Sequence, residues 1–150
     1  MAYFSGEYEC KIDAKGRIVL PAKLKAKLPE VNTSELIIKR GFEPCLVLYP
    51  QLEWMKVFNK ASGLSEFNQE YRTFQRSFLR GATEVDMDTN GRILLPKTMT
   101  KFAEIEEEVI VVGTGNRIEI WNPDKYDAYL VKDENEFSAL AQKFLAGDDN

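Results

Sequence analysis

The sequence predicts an α+β fold, mainly β, built of two matching halves related by pseudo-two-fold symmetry and flanked by peripheral helices. Three observations carry this expectation. The segment from Gly6 to Pro21 recurs from Gly81 to Pro96 in constant register, keeping Gly, Glu, Asp, Gly, Arg, Ile, Leu and Pro in place. Each copy is followed by the same alternation of short apolar runs, turn residues and a proline-led helix. Two copies are too few for a solenoid, which needs about three or more, but they suit a unit in which each half completes the other.

The first copy reads strand, turn, strand, helix. Residues 7–12 form a strand. Asp13-Ala14-Lys15-Gly16 fits a tight turn, with Asp first and Gly fourth. Arg17 to Leu20 is a short apolar strand. Pro21 suits the first position of a helix, where its missing N–H has no helical partner to lose. Leu24 and Leu28 share one face of that helix, Lys23, Lys25 and Lys27 point elsewhere, and Pro29 ends it. Strands at Glu35–Lys39 and Cys45–Tyr49 follow, then a helix begun by Pro50 and carrying Leu52, Trp54, Met55 and Phe58. The second copy repeats these as strands Glu108–Val112 and Arg117–Trp121 about the turn Gly113–Asn116, then a helix from Pro123 bearing Tyr126 and Tyr129. Here Gly41 answers to Gly113 and Tyr49 to Trp121, so the second copy is slightly shorter between its first helix and third strand.

Between the copies, Glu66 to Arg80 is strongly helical. Phe67, Tyr71, Phe74 and Phe78 make one apolar face, with Ser65 as N-cap and Gly81 as stop. Arg72, Arg76 and Arg80 line another face, either touching phosphates or forming a solvated or interface-facing stripe. From Asp133 a peripheral helix with Phe137, Leu140, Ala141, Phe144 and Leu145 leads to a frayed end, 147–150. The division expected is a first repeat over 7–54, connecting helices over 55–80, a second repeat over 83–126, and a C-terminal helix and tail over 127–150.

Composition narrows the function. With 150 residues, 44% of them hydrophobic, the chain can bury a real core. No run approaches the ~20 apolar residues of a membrane span, and nothing resembles a signal peptide, so a cytoplasmic setting is expected. Cys10 and Cys45 read as reduced thiols. There is no histidine, which excludes Ser-His and Cys-His nucleophilic sites, a His-bearing zinc site and a His base. Gly113-Thr114-Gly115 lacks the third glycine of a dinucleotide fingerprint and precedes a strand. No enzyme, metal or cofactor is expected.

Net charge is −4, which alone argues mildly against nucleic acid. Its distribution argues otherwise. Residues 11–27 hold six cations (Lys11, Lys15, Arg17, Lys23, Lys25, Lys27) against Asp13. The equivalent 86–102 holds Arg92, Lys97 and Lys101 against Asp86 and Asp88. Residues 133–150 hold five acids against Lys143.

The doubled core is Asp-x-x-Gly-Arg-Ile-x-Leu-Pro. Asp13 and Asp88 can cap turn N–H groups, and Gly16 and Gly91 tolerate positive φ. Arg17 and Arg92 are the anomaly, because core packing does not require a long cation after each turn. Each either pairs with the aspartate four residues earlier or stands free. Pairing would still leave donors for phosphate or guanine.

At these residues the chain resembles the AbrB-type swapped-hairpin DNA-binding domain. Two such domains in one chain resemble the MraZ family of bacterial transcriptional regulators. Phe4-Ser5-Gly6-Glu7-Tyr8, Cys45 to Pro50 with Trp54, Phe74-Gln75-Arg76, Gly81-Ala82-Thr83-Glu84, Val111-Val112-Gly113 and Ile118 to Trp121 also fit. The resemblance covers about residues 3–130. It implies a double swapped-hairpin barrel, assembly into a ring-shaped homo-oligomer, and binding to short direct repeats in the promoter of its own division and cell-wall operon, usually as an autorepressor in the nucleoid. It places DNA contacts at Lys15, Arg17 and Arg92. The second copy departs from the first: Asn90 replaces Lys15, and Thr98 and Thr100 replace Lys23 and Lys25.

Read together, Lys11, Lys15, Lys23 and Lys25 neutralise phosphates while Arg17 grips guanine O6 and N7. Direct DNA repeats suit ring subunits that face one way. The first copy is expected to dominate, with Arg92→Ala milder than Arg17→Ala. The alternative in another class is a protein-interaction ring or antitoxin-like adaptor.

Overall fold

The computed structural model describes residues 3–28 and 35–146. The expected helix end at Pro29 and the expected frayed tail lie outside them. In chain order the elements are β1 (Glu7–Lys11), β2 (Arg17–Val19), α1 (Ala22–Lys25), β3 (Leu36–Arg40), β4 (Leu46–Pro50), α2 (Gln51–Ser62), α3 (Gln69–Phe78), β5 (Thr83–Val85), β6 (Arg92–Leu94), α4 (Lys97–Phe102), β7 (Glu108–Gly113), β8 (Ile118–Trp121), α5 (Pro123–Ala128) and α6 (Glu134–Leu145).

The two copies interleave. One antiparallel sheet runs β1-β7-β8-β4-β3-β5, and a separate two-stranded ribbon pairs β2 with β6. Exchanging first-copy strands for their second-copy equivalents reverses the sheet order and leaves it otherwise unchanged. Among the described residues, β1 pairs only with β7, and β5 only with β3, so each copy's opening strand belongs to the other copy's sheet. The first and second copies are one folding problem, as a two-copy repeat without a third neighbour requires.

Alternation along the strands builds two cores on the two faces of the large sheet. Leu36, Ile38, Leu46, Leu48, Ile118 and Ile120 face the first core, joined by Ile18 and Ile93 of the ribbon, Leu24 of α1 and Met99 of α4. Ile37, Val47, Tyr49 and Trp121 face the second, covered by Trp54 and Phe58 of α2 and by Phe78 and Tyr126. The ribbon with its two short helices lies on one side of the sheet, and α2, α3 and α5 lie on the other.

Several helix expectations shift. Pro21, Pro50 and Pro96 are N-caps rather than first helical residues; Pro123 does occupy the first turn, behind an Asn122 cap. The N-cap of α3 is Asn68, whose side chain accepts from Tyr71 N at 3.0 Å. Ser65 instead accepts from Phe67 N at 3.2 Å, forming a turn ahead of the helix. Phe67 therefore falls outside the expected apolar face and is 88% exposed. Lys39 is the reverse surprise, at 4% exposure. Its Nζ donates to the Arg40 carbonyl at 2.6 Å and lies 4.5 Å from the Phe78 ring centroid. The aromatic cover compensates a cation that burial otherwise penalises, and burial draws its pKa below the usual lysine range.

Candidate nucleic-acid interface

The ribbon organises the site. Arg17 stands opposite Leu94, Ile18 opposite Ile93, and Val19 opposite Arg92. Residues directly opposed across an antiparallel pair share a face. Ile18 and Ile93 are sealed into the core. Arg17, Val19, Arg92 and Leu94 therefore share the outer face. The sequence sets the two arginines in opposite halves of the chain; the strand exchange brings them to diagonal corners of one patch.

Each arginine is held in the same way. Asp13 Oδ1 accepts from Lys15 N at 2.9 Å and Arg17 N at 2.8 Å, while Oδ2 accepts from Arg17 Nε at 2.8 Å. Asp88 repeats this with Asn90 N at 2.9 Å, Arg92 N at 2.9 Å and Arg92 Nε at 2.8 Å. The pairing left open by the sequence thus exists in both copies. It anchors the guanidinium by Nε alone. Among the described residues, no hydrogen bond uses Nη1 or Nη2 of either arginine, so the fork remains available.

The turns explain the geometry that the two copies share. Gly16 N donates to Asp13 O, and Gly91 N to Asp88 O, both at 3.0 Å. Both glycines have positive φ, +86° and +76°, where a side chain is strained. The backbone N–H of Arg17 is the chief cause holding the Asp13 carboxyl below its usual range; desolvation opposes it, and the Arg17 side chain and Lys15 N–H reinforce it. Arg92 and Asn90 do the same for Asp88.

The interleaving also redistributes charge. Leu20 N donates to Gly91 O and Leu95 N to Gly16 O, at 2.9 and 2.8 Å, so each turn abuts the strand end and helix of the other copy. A Cβ placed on Gly91 would lie 3.3 Å from Lys25 Nζ. Lys25, counted with the first copy, stands at the second copy's turn. Lys97 of α4 lines a groove with Asp13, Ala14, Lys15 and Gly16 of the first turn. The cation count per copy is therefore not the cation count per turn, although Lys15 still distinguishes the first turn from the second, which has Asn90. Linear counting could not find this, because it depends on the pairing of β2 with β6.

The other candidates divide. Lys15 is exposed at the first turn and Lys23 is exposed on α1. Lys11 is not on the ribbon. It ends β1 opposite Glu108 and lines a groove with Asp13 and Ala14 of the first turn and with Glu106 and Glu107, so it borders the Arg17 turn among acidic side chains. Among the described residues, no group of three or more His, Cys, Asp or Glu could hold a metal ion, and no helix is long and apolar enough to cross a membrane.

Residues 3–77 and 78–146 each match the family described as MraZ protein and as antitoxin-like. The chain belongs to the MraZ family. It is 53% identical over 146 residues to the transcriptional regulator MraZ of Cytophaga hutchinsonii, covering 97% of both chains. It is 41% identical to the Christiangramia forsetii MraZ (96% of this chain, 94% of that one) and 38% identical to the Halothermothrix orenii MraZ (92% and 94%). All three relatives are named as transcriptional regulators. The boundary between the two MraZ matches falls at the end of α3.

Proposed function

We propose that this chain is a sequence-specific DNA-binding transcriptional regulator. It binds short direct repeats in the promoter of its own division and cell-wall operon, as an autorepressor and as a ring-shaped homo-oligomer in the nucleoid-associated cytoplasm. One observation carries the reading: a two-stranded ribbon presents Arg17 and Arg92 on a single outer face, each pinned through Nε and free at its fork. A two-stranded β-ribbon fits a major groove of about 12 Å. An arginine fixed by one edge loses little freedom when it grips guanine O6 and N7. Lys15, Lys23, Lys25 and Lys97 flank the ribbon and neutralise phosphates, setting affinity rather than sequence. Asp13, Gly16, Asp88 and Gly91 form the turns that aim the arginines. Lys11, beside the first turn at the end of β1, adds a phosphate contact at the edge of this face. The names of the relatives support the regulatory role.

The strand exchange supports the finer fold reading, an AbrB-type swapped-hairpin barrel. It joins a first repeat over 7–54 to a second over 83–126, with connecting helices over 55–80 and the C-terminal segment over 127–150. The ring reading draws on α6, whose Phe137, Phe144 and Leu145 are exposed. The second reading, a protein-interaction ring or antitoxin-like adaptor, is favoured by that same apolar helix. A salt titration of binding to the chain's own upstream promoter DNA separates the two. The regulator reading expects affinity that falls steeply between about 50 and 200 mM salt. Absent or salt-indifferent binding would favour the adaptor.

A further inference from the structure

Two residues on the ribbon's outer face are left unused by the arginines. Val19 and Leu94 are 57% and 55% exposed, although their neighbours Ile18 and Ile93 are sealed. A scattered exposed aliphatic residue needs no explanation. These two are not scattered. They occupy equivalent positions in the two copies, and each stands directly opposite an arginine. The face is a square of two cations and two branched alkyl groups, alternating corner by corner. Each guanidinium is drawn toward its own turn by the Nε bond to aspartate, which leaves the alkyl tips uncovered.

A surface built only to meet phosphates gains nothing from alkyl groups at its centre. A base-reading surface does gain, because the major groove carries one apolar group, the C5-methyl of thymine. Cross-strand neighbours on one face lie about 5 Å apart, which puts each alkyl group within a base step or two of the base its opposing arginine reads.

We infer that Val19 and Leu94 are specificity-determining residues that pack against thymine methyl groups beside the guanines held by Arg92 and Arg17. This rests on the DNA-binding reading above. It goes beyond it by assigning thymine discrimination to the aliphatic corners. Valine and leucine differ by one methylene, so the two corners reach to different depths.

The test uses the full chain and a duplex of its upstream promoter, made once with thymine and once with uracil in the bound segment. Uracil lacks only the methyl. Fluorescence anisotropy of the wild-type chain is expected to show weaker uracil binding, by about four-fold for each methyl lost. The V19A/L94A double variant is expected to bind the thymine duplex more weakly and to lose the distinction between the two duplexes. Equal wild-type binding to both duplexes would overturn the inference while leaving the regulator reading intact. Discrimination retained by the double variant would overturn it as well. Binding to neither duplex would remove the regulator reading and this inference with it. If the double variant does not fold, V19A and L94A are read singly; each is expected to narrow the thymine–uracil distinction, and an unchanged distinction in both would overturn the inference.

Discussion

At the scale of the residue, the aspartate–arginine pair is the unit that repeats. The carboxylates of Asp13 and Asp88 are both depressed, chiefly by backbone N–H groups that need the charged form as acceptor. A depressed folded pKa contributes stability that is present above the unfolded value of about 3.9 and is lost as pH falls through the folded value. With no histidine in the chain, no side chain of ordinary pKa titrates near neutrality. DNA affinity is therefore expected to stay flat between about pH 6 and 8, in an anisotropy series at fixed ionic strength. Loosening of the turns is expected only in acid below the usual carboxylate range. A midpoint near pH 6.5 would contradict this.

The glycines that close the same turns make a second expectation. Gly16→Ala and Gly91→Ala each force a side chain into positive φ, at a cost of about 1–2 kcal/mol. The two costs should be similar, because the nearest atom to a Gly91 Cβ, Lys25 Nζ at 3.3 Å, ends an exposed side chain that can swing aside. Urea unfolding of both variants measures the two losses, and a much larger loss in Gly91→Ala would show that Lys25 does not yield. This local geometry was legible in the sequence, since Asp, Gly and their spacing act within a single turn. The position of Lys25 was not, because strand exchange carries it to the turn of the other copy. Lys39 was equally hidden: nothing local distinguishes a lysine caged by Phe78 from one in solvent.

At the scale of the element, the ribbon is held by its inner face. Ile18 and Ile93 are 1% and 0% exposed and directly opposed. Truncating either to alanine is expected to cost about 2–5 kcal/mol. The double variant should cost less than the sum, because the two side chains share one space. Strict additivity in denaturant unfolding would mean that they do not pack as a pair. The N-terminal segment is fixed differently. Phe4 is buried, and its N–H and carbonyl pair with Gly115 at 2.7 and 2.9 Å. A Cβ on Gly113 would lie 2.6 Å from the Phe4 carbonyl carbon, against backbone that cannot swing aside. Gly113→Ala should displace this segment and cost about 1–3 kcal/mol. The turn role assigned to Gly113 from sequence was close in place but missed this reason, a close backbone approach at a strand end. Elements marked by alternation and proline emerged close to their expected bounds; the start of α3 did not, since Ser65 and Asn68 are both good caps and only Asn68 sits where the helix begins.

At the scale of the whole molecule, interleaving means that neither half holds a complete sheet. β1 lacks a partner without β7, and β5 lacks one without β3. Fragments 1–77 and 78–150 are each expected to lack cooperative thermal unfolding alone and to regain it when mixed. A cooperative transition in either isolated fragment would show that the halves are independent domains. The two-fold character of the fold was visible in the repeat, but the exchange of opening strands was not visible in the residues themselves, because register between distant strands is set by packing. The pairing of β2 with β6 gives each turn an arginine from its own copy and a lysine from the other.

The central claim is that both copies present equivalent arginines to DNA. The most direct measurement is the affinity of Arg17→Ala and Arg92→Ala, side by side with wild type, for the chain's upstream promoter duplex at fixed salt. Losses within a few-fold of each other are expected, each about ten-fold or more. Wild-type affinity in Arg92→Ala, with binding collapsed in Arg17→Ala, would contradict it.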